Sequence, residues 1–385
     1  MIKQKKKQKQ MSARVLAFKF LLIGVLLAMM PLEVWADGNF REYTKEIKRE
    51  FNITPHGNIH VSNKYGQVDI RTWEKNRVKI TVEIIVNASN ESDAQKVFNR
   101  VNVEFKTGGT DVSATTIIEE TKNKWWDWSS GQLDYAINYQ VFMPASANLS
   151  LENKYGEVYV SSVSGNVDLS LKYVNFIIDA LSGNSNSSLG NSNGSIGSVN
   201  NMNLQIKNGS INIGSVNNME IGSKSATINI GKAKLIVSNT SYDNYSIGTI
   251  SEFHNDGKFD NVEIGFADDV FMESSYSNVV FNEINKYLIL DLDNCNANIN
   301  KLSTNFKEAK IIGKNSDFKI TLESDIRYQL DAFADYAKVN YPKQMSVTFK
   351  EENPTTYTVK GMQGKNTDAP FIKVRLKYGS LKMNY

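Results

Sequence analysis

Apolar residues return along the middle of this chain at a fixed interval of 17. Ile196, Ile213, Ile230, Ile247 and Ile264 form one file, continued by Phe281. Two positions earlier stand Ile211, Ile228, Tyr245, Val262 and Val279. Apolar, any, apolar is the alternation of a strand with one face buried. A glycine follows each isoleucine, at 197, 214, 231, 248 and 265, and two more apolar files come after it. The first of these holds Val199, Val216, Ala233, Ile250, Ala267 and Ile284; the second holds Met202, Met219, Ile236, Phe253, Val270 and Tyr287. So short a unit, without a 3.6-residue period, cannot be a pair of helices. Stacked turns of short strands remain.

The same phrase extends outward with longer steps. "KYGQVDI" (Lys64–Ile70), "KYGEVYV" (Lys154–Val160), "KYVNFII" (Lys172–Ile178), "SYDNYSI" (Ser241–Ile247) and "KFDNVEI" (Lys258–Ile264) align without gaps. "KNSDFKI" (Lys314–Ile320), "DYAKVNY" (Asp335–Tyr341) and "KYGSLKM" (Lys377–Met383) complete the series. The pattern predicts an all-β protein: a parallel β-solenoid of about eleven turns of 17–21 residues. Turns of this length, stacked about 4.8 Å apart, would build a rod on the order of 50 Å long. Glycine is expected to permit the corner conformations. Asn175, Asn193, Asn244, Asn261, Asn278 and Asn296 share a column and are expected to hydrogen-bond as a ladder.

Residues 51–147 break the period and read as an N-terminal β-rich cap with one short helix. Arg77–Ala88 alternates like a strand, whereas Glu91–Val101 has helical spacing at Ala94, Val97, Phe98 and Val101 after the capping residues Ser89 and Asn90. Strands are predicted over Asp111–Glu120 and Leu133–Met143, flanking the polar, aromatic "KNKWWDWSSG". Residues 148–341 are assigned to the solenoid and 342–385 to looped final turns and a closing strand. Residues 37–50 are read as a linker. The first 36 residues carry a basic start, an apolar run and "VWA" ending at Ala36, the pattern of a cleaved secretory signal, with a retained anchor as the alternative. No second long apolar run follows, so no transmembrane helix is expected after cleavage.

Charge changes the picture only once that leader is set aside. The whole chain has 44 Lys and Arg against 41 Asp and Glu; beyond residue 36 there are 37 against 40. The basic character belongs mostly to the leader, so nucleic acid is excluded as an expected partner. The single cysteine, Cys295, allows no internal disulfide, and stability must come from packing and backbone pairing.

The succession "VSNKYGQVDIRTWEKNRVKITVEI", "DAQKVF", a Trp-rich stretch before "INYQVFMP", "LENKYGEVYV" and a terminal "KVRLKYGSL" resembles the exported adhesin-like domains of unknown function common in the Bacteroidetes. The resemblance covers essentially the whole mature chain. It implies a secreted or envelope-associated β-solenoid, located in the periplasm, at the outer membrane or at the cell surface. Its motifs are strand-and-turn phrases, which identify architecture rather than chemistry.

Candidate chemistry is sparse. His56 and His60 are four apart, but Pro55 and Gly57 oppose a helix that would pair them on a metal. Neither they nor His254 gives a metal or cofactor expectation. Cys295 reads as a small buried thiol. A carbohydrate-active β-helix enzyme, one alternative, would need gathered carboxylates. Asp268, Asp269, Asp291 and Asp293 are the nearest set, and no acidic column is expected to continue through neighbouring turns. Trp125, Trp126 and Trp128 are the candidate contacts for a glycan or an envelope protein, unless they fold onto the cap. Tyr155, Tyr173, Tyr242 and Tyr276 form either an outward aromatic stripe or a packed structural ladder. The expected function is a non-catalytic exported adhesin-like solenoid, with a ligand-free structural or signalling envelope component as a further alternative.

Overall fold

Strand alternation persists around each turn and fails only where the chain bends. The computed structural model describes residues 40–119, 134–364 and 368–385. The leader read over residues 1–36 and the tryptophans at 125, 126 and 128 lie outside them. No described helix is long and apolar enough to cross a membrane.

The N-terminal elements are β1 (Arg41–Asn52), β2 (Asn58–Lys64), β3 (Val68–Trp73), β4 (Arg77–Ala88), α1 (Glu91–Arg100), β5 (Val101–Gly108), β6 (Asp111–Ile118) and β7 (Asp134–Pro144). The regular turns follow as β8 (Asn148–Val160), β9 (Val167–Gly190), β10 (Asn193–Lys207), β11 (Ser210–Lys224), β12 (Thr227–Ser241), β13 (Asn244–Lys258) and β14 (Asn261–Ser275). After them come β15 (Asn278–Asp293), β16 (Asn296–Leu302) and β17 (Glu308–Leu322). The chain closes with β18 (Tyr328–Asn340), β19 (Ser346–Glu352), β20 (Thr356–Gln363) and β21 (Phe371–Asn384). Together they form a parallel β-solenoid of about ten turns with a β-rich N-terminal region.

Strand β11 shows the plan of a turn. Ile211, Ile213, Val216, Met219 and Ile221 point inward, while Gly214 with Ser215 and Asn217 with Asn218 are outward pairs. Two consecutive outward residues are what a corner requires of a period-2 chain. Each turn pairs in parallel, in register, with the next. Ile178, Ile196, Ile213, Ile230, Ile247, Ile264 and Phe281 therefore stack as one file, none more than 2% exposed. The asparagine ladder runs from Asn244 onward: Asn261 donates to Asn244 at 3.0 Å, Asn278 to Asn261 at 3.2 Å and Asn296 to Asn278 at 3.3 Å, whereas Ser210 and Thr227 separate Asn193 from it.

The role expected of glycine is corrected. None of Gly197, Gly214, Gly231, Gly248 and Gly265 has a positive φ. They are required because a Cβ on each of the last four would lie 2.4–2.6 Å from the carbonyl oxygen of the glycine one turn earlier. The corner conformation with positive φ belongs to a different column, occupied by Tyr, Asn, Ser and Phe.

Just inside that corner runs a buried polar file. The backbone N–H of Val174 donates to Ser192 Oγ (3.1 Å), Ala226 to Asp243 Oδ1 (2.7 Å) and Asp243 to Asp260 Oδ1 (2.8 Å). Asp260 then donates to Ser277 Oγ (3.0 Å), Ser277 to Cys295 Sγ (3.3 Å) and Cys295 to Ser316 Oγ (3.0 Å). Each small polar side chain satisfies the inward N–H of the preceding turn, which burial would otherwise leave unpaired. Cys295 is one such acceptor, 2% exposed, with burial pushing its thiol above its ordinary value.

Burial also raises the carboxyls of Asp243 and Asp260, although hydrogen bonds from Ser223 and Thr240 oppose the shift. A raised folded pKa means that the native state prefers the protonated acid. The stability from these groups is full below the unfolded value of about 3.9 and is lost as pH rises through the raised value. Replacing both by serine, the residue of this column at 192, 277 and 316, should remove that dependence. The Tm of the wild type is then expected to fall relative to Asp243→Ser/Asp260→Ser as pH rises from about 4, levelling off once both acids ionise. A Tm difference flat from pH 4 to 8 would refute this assignment.

At both ends the order in space departs from the order in the chain. β2 and β3 lie between β8 on one side and β6 and β7 on the other, all parallel. β21 lies between β17 and β18, parallel to both. Antiparallel strands then cover the stack: β4 on β7, β5 on β6, β20 on β18 and β19 on β20. The segment read as a linker contains β1, which pairs with β4. Its apolar residues Tyr43, Ile47 and Phe51 fall every fourth position, with Lys45 and Arg49 between them, so simple alternation does not betray it. α1 is capped as expected, Asn90 Oδ1 accepting from the Asp93 N–H at 3.0 Å, with Ala94 and Val97 buried.

Candidate binding surface

The positive-φ column is the most unusual feature of the molecule. Tyr65, Tyr155, Tyr173, Tyr242, Phe259, Tyr276, Tyr336 and Tyr378 all have φ between 49° and 64°, where asparagine or glycine would be easiest. Each costs on the order of 1–2 kcal/mol of backbone strain. A turn that buries five apolar side chains, at roughly 1.5–3 kcal/mol each, can hold it there. The sequence makes the corner by ending the strand with a residue whose N–H reaches the next turn: Asn208 N donates to Lys224 O at 3.1 Å, and Tyr242 N to Lys258 O at 3.1 Å.

The rings point outward and stack along the solenoid. Tyr65 meets Tyr155 at 5.3 Å, and Tyr155 meets Tyr173 at 5.0 Å, with planes within 8°. Tyr242, Phe259 and Tyr276 form a second stack at 4.8 and 5.0 Å, and Tyr378 with Tyr336 a third at 5.5 Å. The two readings of the tyrosine column are therefore both true: it is a ladder, and it is exposed. Lys64, Lys154 and Lys172 lie over the rings that follow them, at 4.6, 5.0 and 5.6 Å. Hydrogen bonding to Tyr65 holds the Lys64 ammonium above its ordinary value, against the opposing effect of desolvation.

Trp125, Trp126 and Trp128 lie outside the described residues, and β7 begins after them at Asp134. Ile137 N donates to Tyr65 O at 2.7 Å, and the Tyr135 ring meets Tyr65 edge-on at 5.8 Å. The start of β7 thus lies beside Tyr65, at the N-terminal end of the aromatic file.

A second surface lies on the strand face that precedes this corner. In-register pairing places Asp256, Glu273 and Asp291 in one outward file, beside a row of His254, Phe271 and Ile289. His254 stacks on Phe271 at 4.6 Å and reaches Glu252 at 2.6 Å. The hollow they share with Lys310 is about 400 Å³. The expectation that no acidic column continues through neighbouring turns is corrected here. The register shift between Ala267 and Asp269 makes the step to Asp291 18 residues instead of 17, which hides the file from a fixed-period alignment. Asp268 and Asp269 are both turned outward at a corner; Asp268 holds Asn285 at 2.7 Å and Lys286 at 3.4 Å. Burial raises the Asp269 carboxyl despite the nearby Lys286. Asp293 pairs with Lys314 at 3.5 Å.

The histidines near the N-terminus do not converge. His56 Nδ1 is 3.3 Å from Ser146 O, whereas His60 Nδ1 is 3.1 Å from Ser150 Oγ in a separate hollow of about 630 Å³. Among the described residues, no three of His, Cys, Asp and Glu gather as a metal site.

No family model matches this chain, and no curated protein does. Solved structures do. A "putative adhesin" of Bacteroides fragilis is 12% identical, covering 57% of this chain and 97% of its own, at a TM-score of 0.38. One from Parabacteroides merdae is 10% identical, covering 90% and 97%, at 0.28. A "putative cell adhesion protein" of Clostridium sporogenes is 9% identical, covering 89% and 99%, at 0.19. These descriptions agree with the resemblance read from the sequence. The identities and TM-scores are too low to transfer a binding residue, so this chain is similar to adhesin-described β proteins and its own surface must carry the functional argument.

Proposed function

We propose that this protein is a non-catalytic, exported adhesin-like solenoid that binds a glycan or an envelope protein through its aromatic corner. The observation that supports it is the outward file of aromatic residues held at strained positive φ. A corner needs no ring, and asparagine would make it at lower cost. Exposed aromatic groups in rows are the usual anchors of recognition surfaces. The basic leader, the apolar run and the "VWA" site support export to the envelope.

Catalysis on a carbohydrate is the second reading, and the carboxylate file of Asp256, Glu273 and Asp291 favours it. That file is a row on one face, however, whereas glycoside cleavage needs two carboxyls flanking the scissile bond.

Expressed with its first 36 residues in a bacterium with an outer membrane, the protein should fractionate with the envelope and be shaved by external protease. Purified residues 37–385 should bind a glycan array or an envelope extract without releasing reducing ends. Tyr155→Asn/Tyr173→Asn/Tyr242→Asn/Tyr276→Asn, which strips rings from the file with a residue native to the column, should weaken that binding about tenfold; a further loss on Trp125→Ala/Trp126→Ala/Trp128→Ala would add the tryptophans to the same surface. Retention in the cytoplasm together with a bare array and a bare extract would remove the reading.

A further inference from the structure

The aromatic file is interrupted, and the first interruption is built differently from the second. Between Tyr173 and Tyr242 the same corner carries Asn191, Asn208 and Ser225, also at positive φ. Four steps of about 4.8 Å separate the two rings, roughly 19 Å. Allowing about 3.5 Å of contact at each ring leaves about 12 Å of open notch. Because the rings of each stack lie parallel along the solenoid, Tyr173 and Tyr242 each turn an unstacked face toward this space. Both are exposed, 45% and 53%. The notch is walled by aromatic faces and floored by two amides and a hydroxyl.

Its rim is cationic. Lys207 and Lys224 are in-register neighbours immediately before Asn208 and Ser225, and both are exposed. Neither forms an ion pair among the described residues. Glu220, the nearest acid on the same strand, stands four residues from Lys224, roughly 13 Å away along an extended chain. The second interruption, Asn294 and Asn315 between Tyr276 and Tyr378, is self-satisfied. There Lys314 pairs with Asp293 at 3.5 Å, Lys377 with Asp335 at 3.9 Å, and both asparagine amides donate to Asp293.

We infer that the notch between Tyr173 and Tyr242 is a binding site for an acidic glycan. A pyranose lays its C–H face on an aromatic ring, its hydroxyls match the Asn and Ser floor, and a uronate or similar carboxylate matches the two unpaired lysines. A protein anchor would call for an apolar pocket in place of the amide floor. The inference rests on the binding role proposed above and gives it a location and a ligand class.

The test is calorimetric titration of residues 37–385 with hexagalacturonate and with a hyaluronan hexasaccharide, against neutral maltohexaose, at low and high salt. At least one acidic probe should bind ten or more times tighter than maltohexaose, and salt should weaken it. Lys207→Gln/Lys224→Gln should lose about tenfold. Asn191→Tyr/Asn208→Tyr/Ser225→Tyr, which continues the ring ladder through the notch, should abolish binding while the protein still melts cooperatively, ring stacking offsetting part of the added backbone strain. Should the filled protein not fold, Tyr173→Asn/Tyr242→Asn uses a residue native to the column and should cost at least tenfold. Failure of both acidic probes to bind overturns the inference, as does acidic binding that survives filling. Binding of neutral glycans by the filled variant overturns the notch alone and leaves the exported binding role standing; that role falls only with cytoplasmic retention, a bare array and a bare extract.

Discussion

A chain ending at Pro370 is expected to lose the C-terminal end of the solenoid and to self-associate. β21 follows the other described strands in the chain, yet it is interior, hydrogen-bonded in parallel to β17 on one side and β18 on the other. It buries Ile372, Val374, Leu376, Leu381 and Met383, none more than 3% exposed. Five such side chains at roughly 1.5–3 kcal/mol each amount to on the order of 10 kcal/mol, comparable to the whole stability of an ordinary domain. Without β21, β18, its antiparallel partner β20 and the β19 that pairs with β20 have nothing to dock on. The surface of β17 becomes a long, unprotected edge. Repeat stacks yield locally, since each turn depends mainly on its neighbours. Limited proteolysis should therefore cut between β17 and the new terminus while β8 to β14 stay protected, and size exclusion should show oligomers. A synthetic peptide of residues 371–385 should restore the monomer by adding the missing strand in trans. A truncated protein that remains monomeric with an unchanged Tm would contradict the intercalated position of β21.

That intercalation marks where the sequence stops speaking plainly. Inside the stack every turn repeats the environment of the last, so Ile213, Ile230 and Ile247 reveal the fold by spacing alone. At the ends a strand's partner is far off in the chain: "KYGQVDI" pairs with residues 90 positions later, and "KYGSLKM" slips between two earlier turns. A linear phrase carries no record of that order. β1 hides for another reason, its inward face alternating apolar with basic, so that Arg49 lies over Phe105 at 5.7 Å where a second apolar residue would have been the clue.

The surface was legible in part. The tyrosine column was visible as a column, and its mixture with asparagine and serine already hinted at left-handed backbone. Which way the rings faced depended on corner geometry that spacing does not encode. The acidic file of Asp256, Glu273 and Asp291 was lost to a single inserted position. The tryptophans, plainest in sequence, lie outside the described residues. A charged edge is the one end device that composition shows directly: Lys350, Glu351 and Glu352 on β19 and Lys48, Arg49 and Glu50 on β1 discourage further strands from pairing.

The glycine file supplies the second large effect, because position alone separates two chemically identical changes. Gly231→Ala is expected to destabilise the protein by about 2–4 kcal/mol, near the upper end of overpacking. The new Cβ would stand 2.6 Å from Gly214 O, a backbone atom held by pairing on both sides. Relief requires turns β11 and β12 to part at that corner, stretching the hydrogen bonds that flank it. Gly222→Ala is the matched control. The three atoms nearest its Cβ would all belong to the Gln205 side chain, with Oε1 at 2.3 Å and Nε2 at 2.8 Å, and that side chain can swing into solvent. There the entropy removed from the unfolded chain, about 0.4–1 kcal/mol, can offset the adjustment, and stability should change little. Denaturant melts of the two variants beside the wild type decide the matter. If Gly231 demanded only backbone freedom, its ordinary φ would let alanine fit, and both variants would melt together; separation by several degrees in Tm, with Gly231→Ala the lower, is the expected result.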